Sequence, residues 1–272
     1  MFRADLFPTK LLLISLVCGL VGCSLPETTP LMQWRHVEEG AYAADISTDG
    51  TLAVVSGINN GVNVWRIGEE KPLYHWGHQG EGNNLVISIH IAADNSYAVT
   101  ADREAFALWS LETGEPEGFW RIDEASIRDV AVTNNGEGIL VARSNGKVMF
   151  FEPRTQRRLE FLGHQEKVNS IDISPNGKYA LTGGNDYIAY LWSTDTGQII
   201  HSFTHPTRVS KVALDDSGRF AFTADSQNKS QIWNVQTGEP VSTLRYFARQ
   251  RIFTDAEFSK DGKYLLTGSP SR

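Results

Sequence analysis

The sequence predicts an all-β fold of repeated four-stranded antiparallel sheets, and three observations predict it. An aromatic residue closes an apolar run at Trp65, Trp109, Phe151, Trp192 and Trp233, at separations of 44, 42, 41 and 41 residues. A turn cluster recurs on the same beat, at Thr48-Asp49-Gly50, Asp94-Asn95-Ser96, Asn134-Asn135-Gly136, Pro175-Asn176-Gly177, Asp216-Ser217-Gly218 and Lys260-Asp261-Gly262. Between these markers apolar and polar residues alternate with period two, which is the pattern of a half-buried strand. One such meander leaves a face and two edges uncovered, so the units must stack on copies of themselves.

The clearest copy runs from Gly163 to Phe203. Its alternation predicts strands over Val168 to Ile173, Tyr179 to Thr182, Ile188 to Trp192 and Ile199 to Phe203. Pro175-Asn176-Gly177 and Thr194-Asp195-Thr196-Gly197 supply the reversals, because Asn and Gly tolerate the positive φ of short hairpins. Gly163-His164, Thr182, Asp186 and Trp192, followed by the Thr196-Gly197 turn, resemble a blade of the WD-repeat β-propeller family. The resemblance implies that His164, Thr182, Asp186 and Trp192 form a buried hydrogen-bond relay, structural rather than catalytic. Buried indole and imidazole groups need partners, and a chain of them fixes strand register.

The resemblance covers about residues 34–268 and implies five full four-stranded blades plus a partial sixth, from a parent of six or seven blades. Its copies degrade. Asp102 and Asp225 stand out of step with Asp186, the third unit has Phe151 for Trp and Asn145 near the Asp position, and only the fourth unit shows the whole relay in sequence. The sixth unit supplies two strands, at Asp255 to Ser259 and Tyr264 to Gly268. A solitary strand at Leu31 to Val37 is placed to close the last blade, and the expectation is a C-terminally truncated or frame-shifted reading frame, with closure by another chain as the alternative.

Residues 1–22 read as a signal peptide, with Arg3 and Lys10 ahead of the apolar run Leu11 to Val21. Leu20-Val21-Gly22-Cys23 resembles a bacterial lipobox, which implies cleavage before Cys23 and its acylation; an ordinary secretory signal is the alternative. Ser24 in place of Asp implies, by the same resemblance to lipoproteins of Gram-negative bacteria, export to the outer membrane, with the domain facing the periplasm. Residues 23–30 form the tether and residues 31–272 the folded domain.

Cys18 leaves with the signal, so the mature chain holds one Cys, acylated, and has no disulfide or thiolate metal site. The net charge is −7 over 272 residues. Residues 1–22 carry +1, from Arg3, Lys10 and Asp5, so the chain beyond them carries −8. An acidic body binds phosphate backbones poorly, and no nucleic-acid partner is expected. His75 and His78 have a spacing that suits a metal, but His78 lies at the relay position, and no metal is expected. The chain has no H-E-x-x-H, G-x-S-x-G, Walker or C-x-x-C motif, so no catalytic residue, cofactor or small-molecule substrate is expected.

The candidate partner-binding residues are Arg103, Asn185 and Tyr187, which the family pattern places on the loop face beside the relay, and Arg245, Tyr246, Arg249 and Arg251, in an Arg-aromatic linker between the fifth and sixth units. The function these features imply is a non-catalytic docking platform for other envelope proteins. A β-barrel-assembly accessory lipoprotein and a propeller enzyme, either a hydrolase or a quinone-dependent dehydrogenase, are the alternatives.

Overall fold

The computed structural model describes residues 40–58, 61–78, 85–227, 229–244 and 253–268. The chain divides into residues 1–34 and 35–272, and everything described lies in the second unit. The signal peptide, Cys23, the tether, the strand expected at Leu31 to Val37 and the linker bearing Arg245, Tyr246, Arg249 and Arg251 all lie outside the described residues.

Among the described residues, twenty-two strands form five four-stranded sheets and one two-stranded sheet, each antiparallel and in chain order. The first holds β1 (Ala41–Ile46), β2 (Leu52–Gly57), β3 (Val62–Arg66) and β4 (Pro72–Trp76). The second holds β5 (Ser88–Ile91), β6 (Tyr97–Ala101), β7 (Ala105–Ser110) and β8 (Pro116–Arg121). In the third are β9 (Ile127–Val132), β10 (Ile139–Arg143), β11 (Val148–Phe151) and β12 (Arg158–Phe161). The fourth comprises β13 (Val168–Ile173), β14 (Tyr179–Gly184), β15 (Ile188–Ser193) and β16 (Ile199–Thr204), and the fifth β17 (Val209–Leu214), β18 (Phe220–Asp225), β19 (Ser230–Asn234) and β20 (Pro240–Leu244). β21 (Asp255–Phe258) and β22 (Leu265–Gly268) make the sixth. The only helix among the described residues is one 3-10 turn, Asn134–Gly136, where Asn135 takes φ 55°. This is the five-and-a-part architecture of a WD-type β-propeller.

The cores lie between sheets rather than within them. Trp76, Val54 and Val64 of the first sheet share a cluster with Ile91, Ala98 and Trp109 of the second. Phe106 and Leu108 pack with Ile139 and Phe151, Leu140 and Phe161 with Ile171 and Trp192, Leu181 and Phe203 with Val212 and Trp233, and Phe222 with Phe253 and Phe258. Burying both faces of each interior sheet is what holds the stack together. The first sheet adds a small cluster of its own, Ala53, Val55 and Trp65, on the flank away from the second. Elsewhere on the two flanks apolar side chains are exposed among the described residues. Ile46 is 54% exposed where Ile91, Ile173 and Leu214, its counterparts by register, are 4–6% exposed, and Leu266 is 76% exposed where Leu181 is buried.

The first strand of each sheet meets the first strand of the next, and a side chain bridges every step. Asp45 Oδ2 accepts the Ile91 N–H at 2.6 Å, His90 Nδ1 accepts Val132 N–H at 3.2 Å, Asp129 Oδ2 accepts Ile171 N–H at 3.0 Å and Asp172 Oδ2 accepts Leu214 N–H at 2.7 Å. The fifth step is an ion pair, Lys211 Nζ to Asp255 Oδ1 at 2.9 Å. Strands that splay apart cannot exchange backbone hydrogen bonds, so side chains satisfy the amides instead. These groups also sense one another over long sequence distances. Burial pushes the Asp45 carboxyl up to about 7, and the charges of Glu257 and Asp255 on β21 add to the rise. A first-sheet group within electrostatic reach of the sixth sheet means that the first strands converge on a common axis.

Candidate functional site

The fourth sheet carries a closed relay. Trp192 Nε1 donates to Thr182 Oγ1 at 2.8 Å, and Thr182 Oγ1 lies 2.7 Å from His164 Nε2. His164 Nδ1 lies 2.9 Å from Asp186 Oδ2 and 3.0 Å from Asp186 Oδ1. The Thr182 hydroxyl accepts from the indole, so its own proton goes to Nε2 and the His164 proton must sit on Nδ1, facing the carboxylate. Burial raises the Asp186 carboxyl, but the His164 hydrogen bond and charge, with the Gln165 and Ile188 amides, together outweigh it and hold the group below the usual carboxylate range. Every polar atom of the chain is occupied, and no nucleophile stands beside it. Gly184 makes room for this arrangement: a Cβ there would lie 2.6 Å from His164 Nδ1 and 2.7 Å from Asp186 Oδ1.

In the second sheet the displaced aspartate reaches its histidine, so the fourth sheet is not alone in having the relay, and in the fifth the aspartate stands at ion-pair distance. His78 Nε2 meets Thr100 Oγ1 at 2.6 Å, Trp109 Nε1 donates to the same oxygen at 2.8 Å, and Asp102 Oδ2 lies 3.3 Å from His78 Nδ1. His205, Thr223 and Trp233 repeat this at 2.8 Å and 2.8 Å, with Asp225 3.8 Å from His205 Nδ1. Asp102 and Asp225 occupy the register position of Gly184, so the carboxylate arrives from the end of the second strand rather than from the turn.

The third sheet solves the same place differently. Val141 stands where the second, fourth and fifth sheets have Thr, Phe151 where they have Trp, and Arg143 at the Gly184 position. With no indole N–H to satisfy, the hydroxyl is unnecessary, and Phe151 packs edge-on to Phe106 and Trp120. The buried Arg143 guanidinium is neutralised by Glu124 at 3.2 Å and by Glu160, with Lys147 closing the cluster on Glu124 at 3.0 Å. His75, the other half of the spacing that suits a metal, is bonded to Asn63 at 2.9 Å, while His78 is in its relay. Among the described residues no group of three or more His, Cys, Asp or Glu side chains is placed to hold a metal ion.

The turns between second and third strands all lie at one end of the sheets, opposite the turns that contain Asn176-Gly177 and Thr196-Gly197. Arg103 and Tyr187 are exposed at that end, and Asn185 is half-buried. Asn185 donates its amide to the Lys167 carbonyl at 2.8 Å, and the Tyr187 carbonyl accepts from His205 N–H at 2.8 Å. Asn169 Nδ2 ties this turn to the next sheet, donating to Asn185 Oδ1 at 2.9 Å and to the Val209 carbonyl at 2.8 Å. Tyr187 holds φ 69°, a left-handed conformation that a bulky residue adopts at a cost; the corresponding turn of the third sheet gives the position to Gly146, φ 86°. Arg103 belongs to the turn two sheets earlier, and no described contact joins it to Asn185 or Tyr187.

Sequence reasoning missed two groups. The bridging Asp45, His90, Asp129, Asp172 and Lys211 are polar residues of the first strands, and in sequence they read as solvent-facing positions of an alternating strand. The second group is basic: Arg128, Lys167 and Arg208 open the first strands of three successive sheets. Lys167 and Arg208 recur at the 41-residue beat.

Comparison with known proteins agrees with this geometry. The WD domain, G-beta repeat family matches residues 155–193, the third-to-fourth unit junction and most of the fourth sheet. The chain is 28% identical over 92 residues to polyadenylation factor subunit 2 of Cryptococcus neoformans, covering 34% of this chain and 13% of that protein. It is 25% identical over 159 residues to pre-mRNA-processing factor 19 of Caenorhabditis elegans, covering 56% and 31%. With meiotic recombination protein rec14 of Schizosaccharomyces pombe it shares 24% over 181 residues, covering 60% and 57%. The chain thus spans less than two thirds of the length of these relatives. The match to one repeat, and the His–Thr–Trp relay that recurs in three of the five four-stranded sheets, are what this chain shares with WD-repeat proteins.

Proposed function

We propose that this protein is a non-catalytic platform for protein interaction, anchored by lipid at Cys23 in the outer membrane of a bacterial envelope and facing the periplasm. The observation that carries the interaction role is the Tyr187 turn. An exposed aromatic in a left-handed conformation is held by the Lys167 and His205 backbone and by Asn169, so it is presented rather than free. A turn whose backbone is already ordered before contact loses little entropy on binding, and exposed aromatics and arginines dominate contact energies. The envelope and lipid parts of the reading rest on residues 1–30 alone. Partners are other envelope proteins; no cofactor, nucleic acid or small-molecule substrate enters the account.

The test is metabolic labelling with an alkyne-bearing fatty acid in a Gram-negative host. The chain takes the label and fractionates with the outer membrane, and Cys23→Ser abolishes both. Labelling that survives in Cys23→Ser, or an unlabelled chain free in the periplasm, contradicts the anchored reading.

A further inference from the structure

Four cations lie at the turn-bearing end of the propeller without an ion pair among the described residues, and three of them, Arg128, Lys167 and Arg208, are near enough for their charges to act on one another. Arg128 is the second residue of β9, and Lys167 and Arg208 immediately precede β13 and β17. Arg103 joins them through its carbonyl, which accepts the N–H of Ile127, next to Arg128, at 2.8 Å. Arg103, Arg128 and Arg208 are exposed and Lys167 is half-buried. None of the four has an ion pair among the described residues, and Glu166, exposed beside Lys167, pairs with none of them. Elsewhere in the same chain, of net charge −7, Arg121, Arg143, Lys147, Arg157 and Lys211 have carboxylates in contact. The cluster is also crowded: burial lowers the Lys167 ammonium below the usual lysine range, and the charges of Arg128 and Arg208 lower it further.

The backbone fixes this arrangement. Lys167 presents its carbonyl to Asn185 N–H and Arg208 presents its own to Ser226 N–H, at 2.8 and 3.1 Å, so each cation sits at the foot of a second-to-third-strand turn. Asn169 then joins Asn185 to Val209, the neighbour of Arg208. The Tyr187 turn and the Lys167 and Arg208 positions are therefore one welded surface spanning two sheets.

We propose that this surface docks an acidic segment of a partner protein, with carboxylates meeting Arg128, Lys167 and Arg208 and an apolar or aromatic side chain meeting Tyr187. This names the partner chemistry for the platform role and rests on that reading for its cellular meaning. Like charges held together unpaired are relieved by an incoming anion, and guanidinium groups favour carboxylates through paired hydrogen bonds. A protein ligand suits the site better than nucleic acid. The cluster offers four cations, the rest of the body is acidic, and a tight phosphate-backbone track rests on more contacts, roughly 6–10.

The test uses the full chain in non-ionic detergent and a fluorescein-labelled twelve-residue peptide of Glu with one central Phe, read by anisotropy. Twelve-residue oligothymidylate and vesicles containing phosphatidylglycerol are run alongside. The peptide binds, weakens as salt rises from about 0.05 to 0.5 M, and loses at least tenfold in affinity in Lys167→Glu/Arg208→Glu. Lys167→Gln/Arg208→Gln, which removes charge without reversing it, loses less. Arg154→Gln, at the opposite end of the sheets, leaves binding unchanged. Peptide binding indifferent to both double variants overturns the proposal, as does tighter binding of the oligonucleotide or the vesicles. A chain that takes no fatty-acid label yet binds the peptide through these residues fails the anchored reading and upholds this one.

Discussion

The Leu214 amide donates to Asp172 Oδ2 at 2.7 Å, so one carboxylate on the fourth sheet satisfies the backbone of the fifth, 42 residues on. Its other oxygen accepts the Ile173 amide at 2.7 Å. Asp172 is thus a fastener between two sheets whose own backbones cannot pair. Replacing it by Ala leaves the Leu214 amide unsatisfied, which costs about 1–3 kcal/mol, whereas Asp172→Asn keeps a carbonyl oxygen in place and costs less. Chemical denaturation of the two variants checks the order; equal losses would mean that the hydrogen bond contributes nothing beyond side-chain volume.

The same groups set the pH response. Burial pushes Asp45 and Asp172 up to about 7, from an ordinary 3.8. The folded protein therefore holds protons that the unfolded chain has released, and this contribution, complete below the unfolded value, is lost as pH rises through 7. Burial moves His90 and His205 the other way, down to about 4 from 6.5, so their contribution is present above 6.5 and lost as pH falls towards 4. Above pH 6.5 these two aspartates act in the same direction as Asp129 and Glu257, which burial also raises. The melting temperature falls between pH 6.5 and 8.5 by roughly 2–4 °C per aspartate, and Asp45→Asn/Asp172→Asn flattens that slope. A slope unchanged in the double variant would assign it to other groups.

The third sheet already shows what a relay looks like after apolar replacement, with Val141 and Phe151 in the Thr and Trp places. Trp192→Phe alone takes the indole donor from Thr182 Oγ1, which keeps its bond to His164, and costs about 1–3 kcal/mol. Adding Thr182→Val to it costs less than the sum of the single changes, with a coupling of roughly 0.5–3 kcal/mol. A double-mutant cycle measures this, and strict additivity would show that the two groups do not act together.

Gly184→Ala tests the geometry of the complete relay, because the added Cβ falls 2.6 Å from His164 Nδ1 and 2.7 Å from Asp186 Oδ1. The His164 ring must leave Asp186, and the imidazole proton resonance that reports the Nδ1–carboxylate bond disappears from the NMR spectrum. Persistence of that resonance would mean that the turn shifts to absorb the methyl group.

Much of this was legible in the chain and some was not, for physical reasons. Period-two alternation and the Asn-Gly and Thr-Gly turns located the strands of the fourth sheet to within a residue or two, because hairpins depend on local conformation. The relay in the second and fifth sheets was obscured because spacing is not distance. Asp102 lies two residues from Thr100 and Asp186 four from Thr182, yet both carboxylates face a histidine Nδ1. The bridging aspartates were missed since a polar residue in an alternating strand reads as solvent-facing, and only the neighbouring sheet reveals the amide that it serves. The basic cluster was hidden because Arg128, Lys167 and Arg208 are scattered in sequence, and convergence about an axis brings them together.

The central claim is that partners meet this propeller at the end bearing Tyr187. A photo-crosslinking amino acid placed at Tyr187, and in a second strain at Arg154 on the opposite end, tests it in intact cells by mass spectrometry of the adducts. The account predicts a discrete protein adduct from position 187, lost on adding Lys167→Glu/Arg208→Glu, and none of comparable yield from position 154. Adducts from position 154 alone, or from neither position, would contradict it.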